Sequence, residues 1–88
     1  GEVPQAVKEL ITIAEIRDRM KKLRLKKVER QDDRLLIFFG KDTVINLADL
    51  IELVTKKYGR LYPQGIAEIP ISSENVSSEI RDILYRIS

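Results

Sequence analysis

A chain of 88 residues with 16 lysines and arginines and 14 carboxylates has a net charge of +2, which is too small to make it a nucleic-acid binder by charge alone. Its apolar fraction of 43% suffices for one core, and its longest uninterrupted apolar run, Leu35–Phe39, is far too short to span a membrane. The chain contains no cysteine and no histidine, which excludes disulfides, thiolate metal sites and the commonest catalytic base.

The first predicted element is a long helix over the stretch Pro4–Lys27, because proline is favoured in a first helical turn, where its missing N–H costs nothing. Apolar residues recur at helical spacing on two different faces of this helix. These faces comprise Val7, Leu10, Ile11 and Ala14 on one side and Ile13, Ile16, Met20 and Leu23 on the other. A helix that is apolar on two sides is usually packed between two layers or against another domain.

Two strands joined by a short turn are predicted next, at Lys26–Arg30 and Arg34–Phe39, with Gln31–Asp33 as the turn. The segment Leu35–Phe39 is apolar at every position, so both faces of the strand would be buried. We therefore predict a central strand that is covered on two sides.

A second predicted helix is bounded by capping residues. Asn46 is a favoured N-cap, and Gly59 stands where a left-handed glycine is expected just after a helix end. The buried stripe of this helix is predicted to consist of Leu47, Leu50, Ile51, Val54 and Tyr58.

The last elements are a strand at Ile66–Ile71, where Pro70 indicates a sheet edge or the end of the ladder, and a helix capped by Ser72 or Ser73. The apolar face of that helix comprises Val76, Ile80, Ile83, Leu84 and Ile87. Together the elements predict one α+β domain over residues 1–88. It has two layers, the order α-β-β-α-β-α, and a small three-stranded sheet packed by helices.

No catalytic, cofactor or metal site is predicted, and we do not expect an enzyme. The segment Gly40–Thr43 is similar to the end of a phosphate-binding loop, but Leu35 stands where that loop needs a glycine and Asp42 where it needs serine or threonine. Two carboxylate pairs could bind a divalent cation or divide acid and base roles, but neither has a third ligand nearby. These pairs are Asp32 with Asp33, in a predicted turn, and Asp49 with Glu52, at a predicted helix start.

A basic run at the end of the first helix is the one feature of the sequence that could indicate a binding surface. It comprises Arg17, Arg19, Lys21, Lys22, Arg24, Lys26 and Lys27, opposed only by Asp18. The run fits a solvated helix end followed by a strand edge that lysines protect. It also fits contact with phosphates or with an acidic protein surface, which makes a basic nucleic-acid-binding module that uses Arg17–Lys27 the alternative function. The candidate contact residues are Arg17, Lys21, Lys22, Arg24, Lys26 and Lys27.

Three blocks of the chain carry a family resemblance. They are G-x-x-P-x-x-V-x-x-L-I-x-I-A-x-I-R from Gly1 to Arg17, K-L-x-L-x-K-V-E from Lys22 to Glu29, and Leu36–Phe39 followed by Val44–Asn46 and Leu50–Val54. In order and spacing they resemble the C-terminal (TRCF) domain of bacterial transcription-repair coupling factor (Mfd), over residues 1 to about 71.

Two departures from the family pattern set expectations. Arg24 replaces the usual glycine after the first helix, so that turn must differ or must hold a left-handed residue that is not glycine. In the family, an acidic segment precedes the position of Gly1. We therefore expect this chain to be a fragment of a longer protein, its C-terminal regulatory domain.

The resemblance implies a role that spacing and periodicity do not. The parent would be a cytoplasmic, ATP-driven DNA translocase that removes stalled RNA polymerase and recruits excision repair. Its contacts with polymerase, UvrA and DNA would lie in other domains. This domain would be non-catalytic and without a cofactor or membrane association, and monomeric on its own. It would dock on the N-terminal UvrB-like module of the same protein, mask UvrA binding and restrain the motor.

Overall fold

A computed structural model describes residues 3–72 and 74–88, and this part of the chain forms three helices and one four-stranded antiparallel sheet. The elements are α1 (Gln5–Leu23), β1 (Leu25–Gln31), β2 (Arg34–Phe39), α2 (Leu47–Lys56), β3 (Arg60–Tyr62), β4 (Ile66–Pro70) and α3 (Val76–Arg86). The predicted α+β class is confirmed. The prediction of three strands missed β3. A strand of 3 residues is too short to show an alternating pattern in the sequence.

The sheet has the strand order β1-β2-β4-β3, with β2 and β4 in the centre. The predicted hairpin is confirmed: β1 and β2 are joined at a turn where Asp32 adopts a φ of 54°. Pro70 is the last residue of β4 and pairs with Arg34, so it ends the ladder and does not mark a sheet edge.

The helices pack on one face of the sheet. Alternate residues of β2 point to opposite faces, and only Leu35 and Ile37 belong to the buried core, while Leu36 and Phe38 are half-buried on the other face. The predicted two-sided cover of β2 is therefore wrong for the described residues. The core comprises Leu23, Leu35, Ile37, Leu50, Val54, Ala67, Ile69, Ile71, Ile83, Leu84 and Ile87.

The end of α1 is held by the segment that is similar to a phosphate-binding loop. The Thr43 hydroxyl donates to the Arg24 carbonyl at 2.8 Å and accepts from the Gly40 N–H at 2.8 Å. The Val44 N–H donates to the Leu23 carbonyl at 2.9 Å. Arg24 itself is left-handed, with φ 55° and ψ 45°. The turn thus keeps the glycine-type conformation with an arginine in it, which is one of the two expected outcomes.

Replacing Arg24 by glycine should raise the free energy of unfolding by about 1 kcal/mol, because a left-handed residue with a Cβ is strained by about that amount. The measurement is the urea unfolding midpoint of the chain. Lys26→Gly, in β1 and without a positive φ, is the control and should lower stability. A loss of stability in Arg24→Gly would contradict the strain argument.

The buried stripe of α2 is narrower than predicted. Leu50 and Val54 are buried and Leu53 packs against the core, whereas Leu47 and Ile51 lie on the exposed flank of the helix. Tyr58, predicted to be in the stripe, is 91% exposed. It lies beyond the end of α2, in a left-handed conformation with φ 56°. The prediction was wrong at these three positions because only a narrow arc of the helix meets the sheet.

Gly59 has a different role from the predicted one. Tyr58 takes the left-handed position after α2, and the Gly59 N–H donates to the Val54 carbonyl at 2.8 Å, which closes the helix end. A Cβ on Gly59 would lie 2.3 Å from the Glu68 carbonyl oxygen in β4. Glycine is therefore needed here for close approach of two backbones and not for a positive φ.

The N-cap of α3 is Asn75, whose side chain accepts from the Ser78 N–H at 3.2 Å. The predicted cap at Ser72 is wrong, since the Ser72 N–H instead donates to Glu79 Oε1 at 3.1 Å. Ser73, the other predicted cap, and Gly1 of the family pattern lie outside the described residues. The helix packs along α1 and is joined to α2 by a Lys57–Glu79 ion pair at 3.1 Å.

Candidate interaction surface

One of the two predicted apolar faces of α1 is buried and the other is exposed. Ile16, Met20 and Leu23 belong to or pack against the core. On the opposite side Leu10 is 66% exposed and Ile11 is 52% exposed. We call the exposed set the α1 stripe; it consists of Val7, Leu10, Ile11 and Ala14, all of which are exposed.

The α1 stripe continues into positive charge. At 3.6 residues per turn, Arg17 and Lys21 follow Val7, Leu10 and Ala14 on the same side of the helix, and both are exposed. Lys22 lies beside them and pairs with Asp18 at 3.0 Å, and Arg24 follows at the helix end. We call Arg17, Lys21, Lys22 and Arg24 the basic end of α1. The exposed face of α1 is thus apolar in its first half and cationic in its second.

Arg19, the remaining cation of the run on α1, belongs to the packing of the domain. Its guanidinium lies 4.3 Å from the centroid of the Tyr85 ring of α3, and its Nε is buried. A cation over an aromatic face is attracted by the ring quadrupole. Arg19 therefore helps to attach α1 to α3 and is not part of the exposed face.

The two remaining candidate cations, Lys26 and Lys27, belong to strand β1. Lys27 pairs with Glu29 at 3.4 Å and lies 5.5 Å from the ring centroid of Phe38, on the sheet face opposite to the helices. Lys26 lies at the irregularity between Leu25 and Lys27, in an edge strand. The six candidate contact residues are therefore divided between the end of α1 and the sheet edge, and two of them have carboxylate partners. A continuous phosphate-binding stripe would need them on one surface.

The first half of α1 is held in place by α3. The Ser77 hydroxyl donates to the Glu9 carboxylate, and Arg81 pairs with Glu15 at 3.6 Å. The pKa of Arg81 is raised above its ordinary value, first by its hydrogen bond to Asp82 and also by Glu15, so the guanidinium stays charged. The α1 stripe is thus carried by a helix whose position is fixed before any partner arrives.

A second exposed apolar cluster lies around the start of α2, and sequence reasoning missed it because Leu61 is outside any periodic pattern. It comprises Leu47, Leu61 and Tyr62, which line a cleft of about 320 Å³. These side chains come from a helix and a strand, so only the fold brings them together.

The two carboxylate pairs lie at structural positions. Asp32 and Asp33 form the β1–β2 turn, and the backbone carbonyl of Asp33 accepts from the Ile71 N–H at 2.8 Å. Arg86 of α3 bridges Asp49 at 3.2 Å and Glu52 at 3.3 Å, which joins α3 to α2. Within residues 3–72 and 74–88, no group of three or more histidine, cysteine or carboxylate residues could hold a metal ion. Over the same residues, no helix is long and apolar enough to cross a membrane.

Comparison with known protein families gives a match over the first part of the chain. A family model described as the TRCF domain matches residues 1–50, which is more than half of the chain. The matched part contains α1, β1, β2 and the start of α2, and therefore the α1 stripe and its basic end. No curated protein and no solved structure matches the chain significantly.

Proposed function

This chain belongs to the TRCF domain family of transcription-repair coupling factors, and we propose that within such a factor it is a non-catalytic regulatory domain that works by covering another protein surface. It docks on the N-terminal UvrB-like module of the same protein, masks the surface that binds UvrA and restrains the ATP-driven DNA translocase. ATP hydrolysis and the contacts with polymerase and DNA belong to other domains.

The observation that carries this proposal is the exposure of the α1 stripe. Large aliphatic side chains in a row on one helix face, such as Leu10 and Ile11, are typical of a surface that meets another protein. The buried face of the same helix already supplies the contacts that hold the domain together. The exposed stripe is therefore not needed for the fold and is open to a docking partner.

Removing residues 1–88 from the full-length factor should raise its ATPase rate or its affinity for UvrA by about 5-fold or more, the range of a typical coupling between two sites. The double variant Leu10→Gln/Ile11→Gln should also raise the ATPase rate or the affinity for UvrA. Ile51→Gln is the matched control, because Ile51 is 48% exposed but belongs to α2.

Unchanged ATPase rate and UvrA affinity after the deletion would contradict the proposal. Salt-sensitive binding of the 88-residue chain to duplex DNA, abolished by replacing Lys21, Lys22, Arg24 and Lys26 with alanine, would favour the nucleic-acid alternative instead.

A further inference from the structure

The exposed face of α1 specifies the chemistry of its partner. We propose that it binds an amphipathic α-helix that runs antiparallel to α1. Carboxylates in the first turns of the bound helix face Arg17 and Lys21, and its apolar stripe packs on Val7, Leu10 and Ile11. This inference rests on the proposed function, since it takes the α1 face as the docking surface.

The shape of the stripe fits one helix. Val7, Leu10 and Ala14, continued by Arg17 and Lys21, recur at the alternating spacing of three and four residues by which one helix packs along another. From Val7 to Lys21 this line is about 21 Å long and one helix, about 10 Å, wide. A surface of this length and width matches the side of a single helix.

The positive charge at one end of this face determines the direction in which the partner helix runs along α1. Arg17 and Lys21 extend the line of the stripe, and carboxylates opposite them would form charge-assisted hydrogen bonds. Acidic residues are most favourable in the first turns of a helix, where the backbone dipole is positive. A helix with its acidic first turns beside the C-terminal half of α1 must run antiparallel to it. Its apolar residues then follow along Leu10 and Val7.

An α1–α1 pair between two copies of this chain meets these requirements poorly. Among the described residues, the first turn of α1 contains no carboxylate, so an antiparallel α1–α1 pair would place no acidic group from that turn opposite Arg17 and Lys21. A parallel pair would bring the two basic ends together, and like charges in contact are repulsive. The occupant is therefore a helix of different sequence from α1.

The surface is ready to bind without rearrangement. The contacts of Glu9 with Ser77 and of Glu15 with Arg81 attach the first half of α1 to α3. Binding to a fixed platform avoids the entropy cost of ordering it, which improves affinity at a given contact area. A small helix–helix contact can then reach measurable affinity.

The test uses a fluorescein-labelled, acetylated and amidated peptide of about 18 residues, or about 27 Å of helix, added to the 88-residue chain. Glutamates occupy its first two turns, leucines follow at heptad spacing, and alanine and glutamine fill the other positions. We expect saturable binding by fluorescence anisotropy, weakened at least 10-fold by Leu10→Gln/Ile11→Gln and unchanged by Ile51→Gln in α2. Arg17→Glu/Lys21→Glu should weaken binding similarly, and a peptide with lysines in place of the glutamates should restore it.

A nitroxide at the peptide N-terminus tests the direction of the bound helix. It should broaden the amide NMR signals of residues 17–21 more than those of residues 5–9.

Absence of binding, equal binding of both peptides by the unaltered chain, or broadening at residues 5–9 would overturn the inference. So would dimerisation of the chain that Leu10→Gln/Ile11→Gln abolishes, because the occupant would then be a second copy. If the peptide binds as described but deletion of the domain leaves ATPase rate and UvrA affinity unchanged, the regulatory role fails and the helix-binding surface stands. If the deletion raises the ATPase rate or the UvrA affinity but the peptide does not bind, the regulatory role stands and the helix-binding surface fails.

Discussion

Replacing Ile37 by alanine should cost the chain about 2–5 kcal/mol of its free energy of unfolding. Ile37 lies in the middle of β2, has no exposed surface, and is opposite Val28 and Ala67 on the face that the helices cover. Alanine would leave a cavity that these rigid neighbours cannot fill. The loss is large beside the 5–15 kcal/mol that stabilises a typical domain, so the urea midpoint should fall sharply.

The neighbouring residue supplies the control for Ile37→Ala. Leu36 belongs to the same strand and has a side chain of similar size, but it faces the side of the sheet that is not covered by the described helices. Leu36→Ala removes contacts from a half-buried site and leaves no closed cavity, so its cost should be about 1 kcal/mol. Equal losses in the two variants would mean that the sheet is covered on both faces, contrary to the fold described above.

Gly59→Ala should destabilise the chain by about 1–3 kcal/mol, the cost of forcing extra atoms into a packed site. The added Cβ would lie 2.3 Å from the Glu68 carbonyl oxygen, which is backbone and cannot rotate away. Either the end of α2 or strand β4 must then move. Unfolding by urea, followed by circular dichroism, measures the effect.

Tyr58→Gly is the matched substitution one residue earlier. Tyr58 holds the left-handed position with φ 56° and its ring is almost fully exposed, so glycine should relieve strain and raise stability by about 0.5–1 kcal/mol. Opposite signs at adjacent positions would establish that residue 59 needs space and residue 58 needs a left-handed conformation. A stabilising Gly59→Ala would show that the α2 end does not approach β4 this closely.

Local signals in the sequence were sufficient for several features of the fold. The spacing of apolar residues predicted α1, α2 and α3, and the short run of polar residues at Asp32 and Asp33 predicted the hairpin. Each of these depends on neighbours within a few positions along the chain, where propensity and capping act directly.

Other features depend on residues that are distant in sequence. Arg86 bridges Asp49 and Glu52, which are 37 and 34 residues away. Glycine is needed at position 59 because the backbone of Glu68 lies close to it. Nothing local in the sequence indicates these contacts.

The sequence by itself determined that α1 has two apolar faces and an end rich in positive charge. Only the tertiary structure decided that the face of Ile16 and Met20 is buried and that the face of Leu10 and Ile11 is open to a partner. The physical reason is that helical periodicity fixes which side chains share a face, because it follows from the backbone alone. Which face is covered depends on where α3 and the sheet lie, and that is settled by packing between distant parts of the chain.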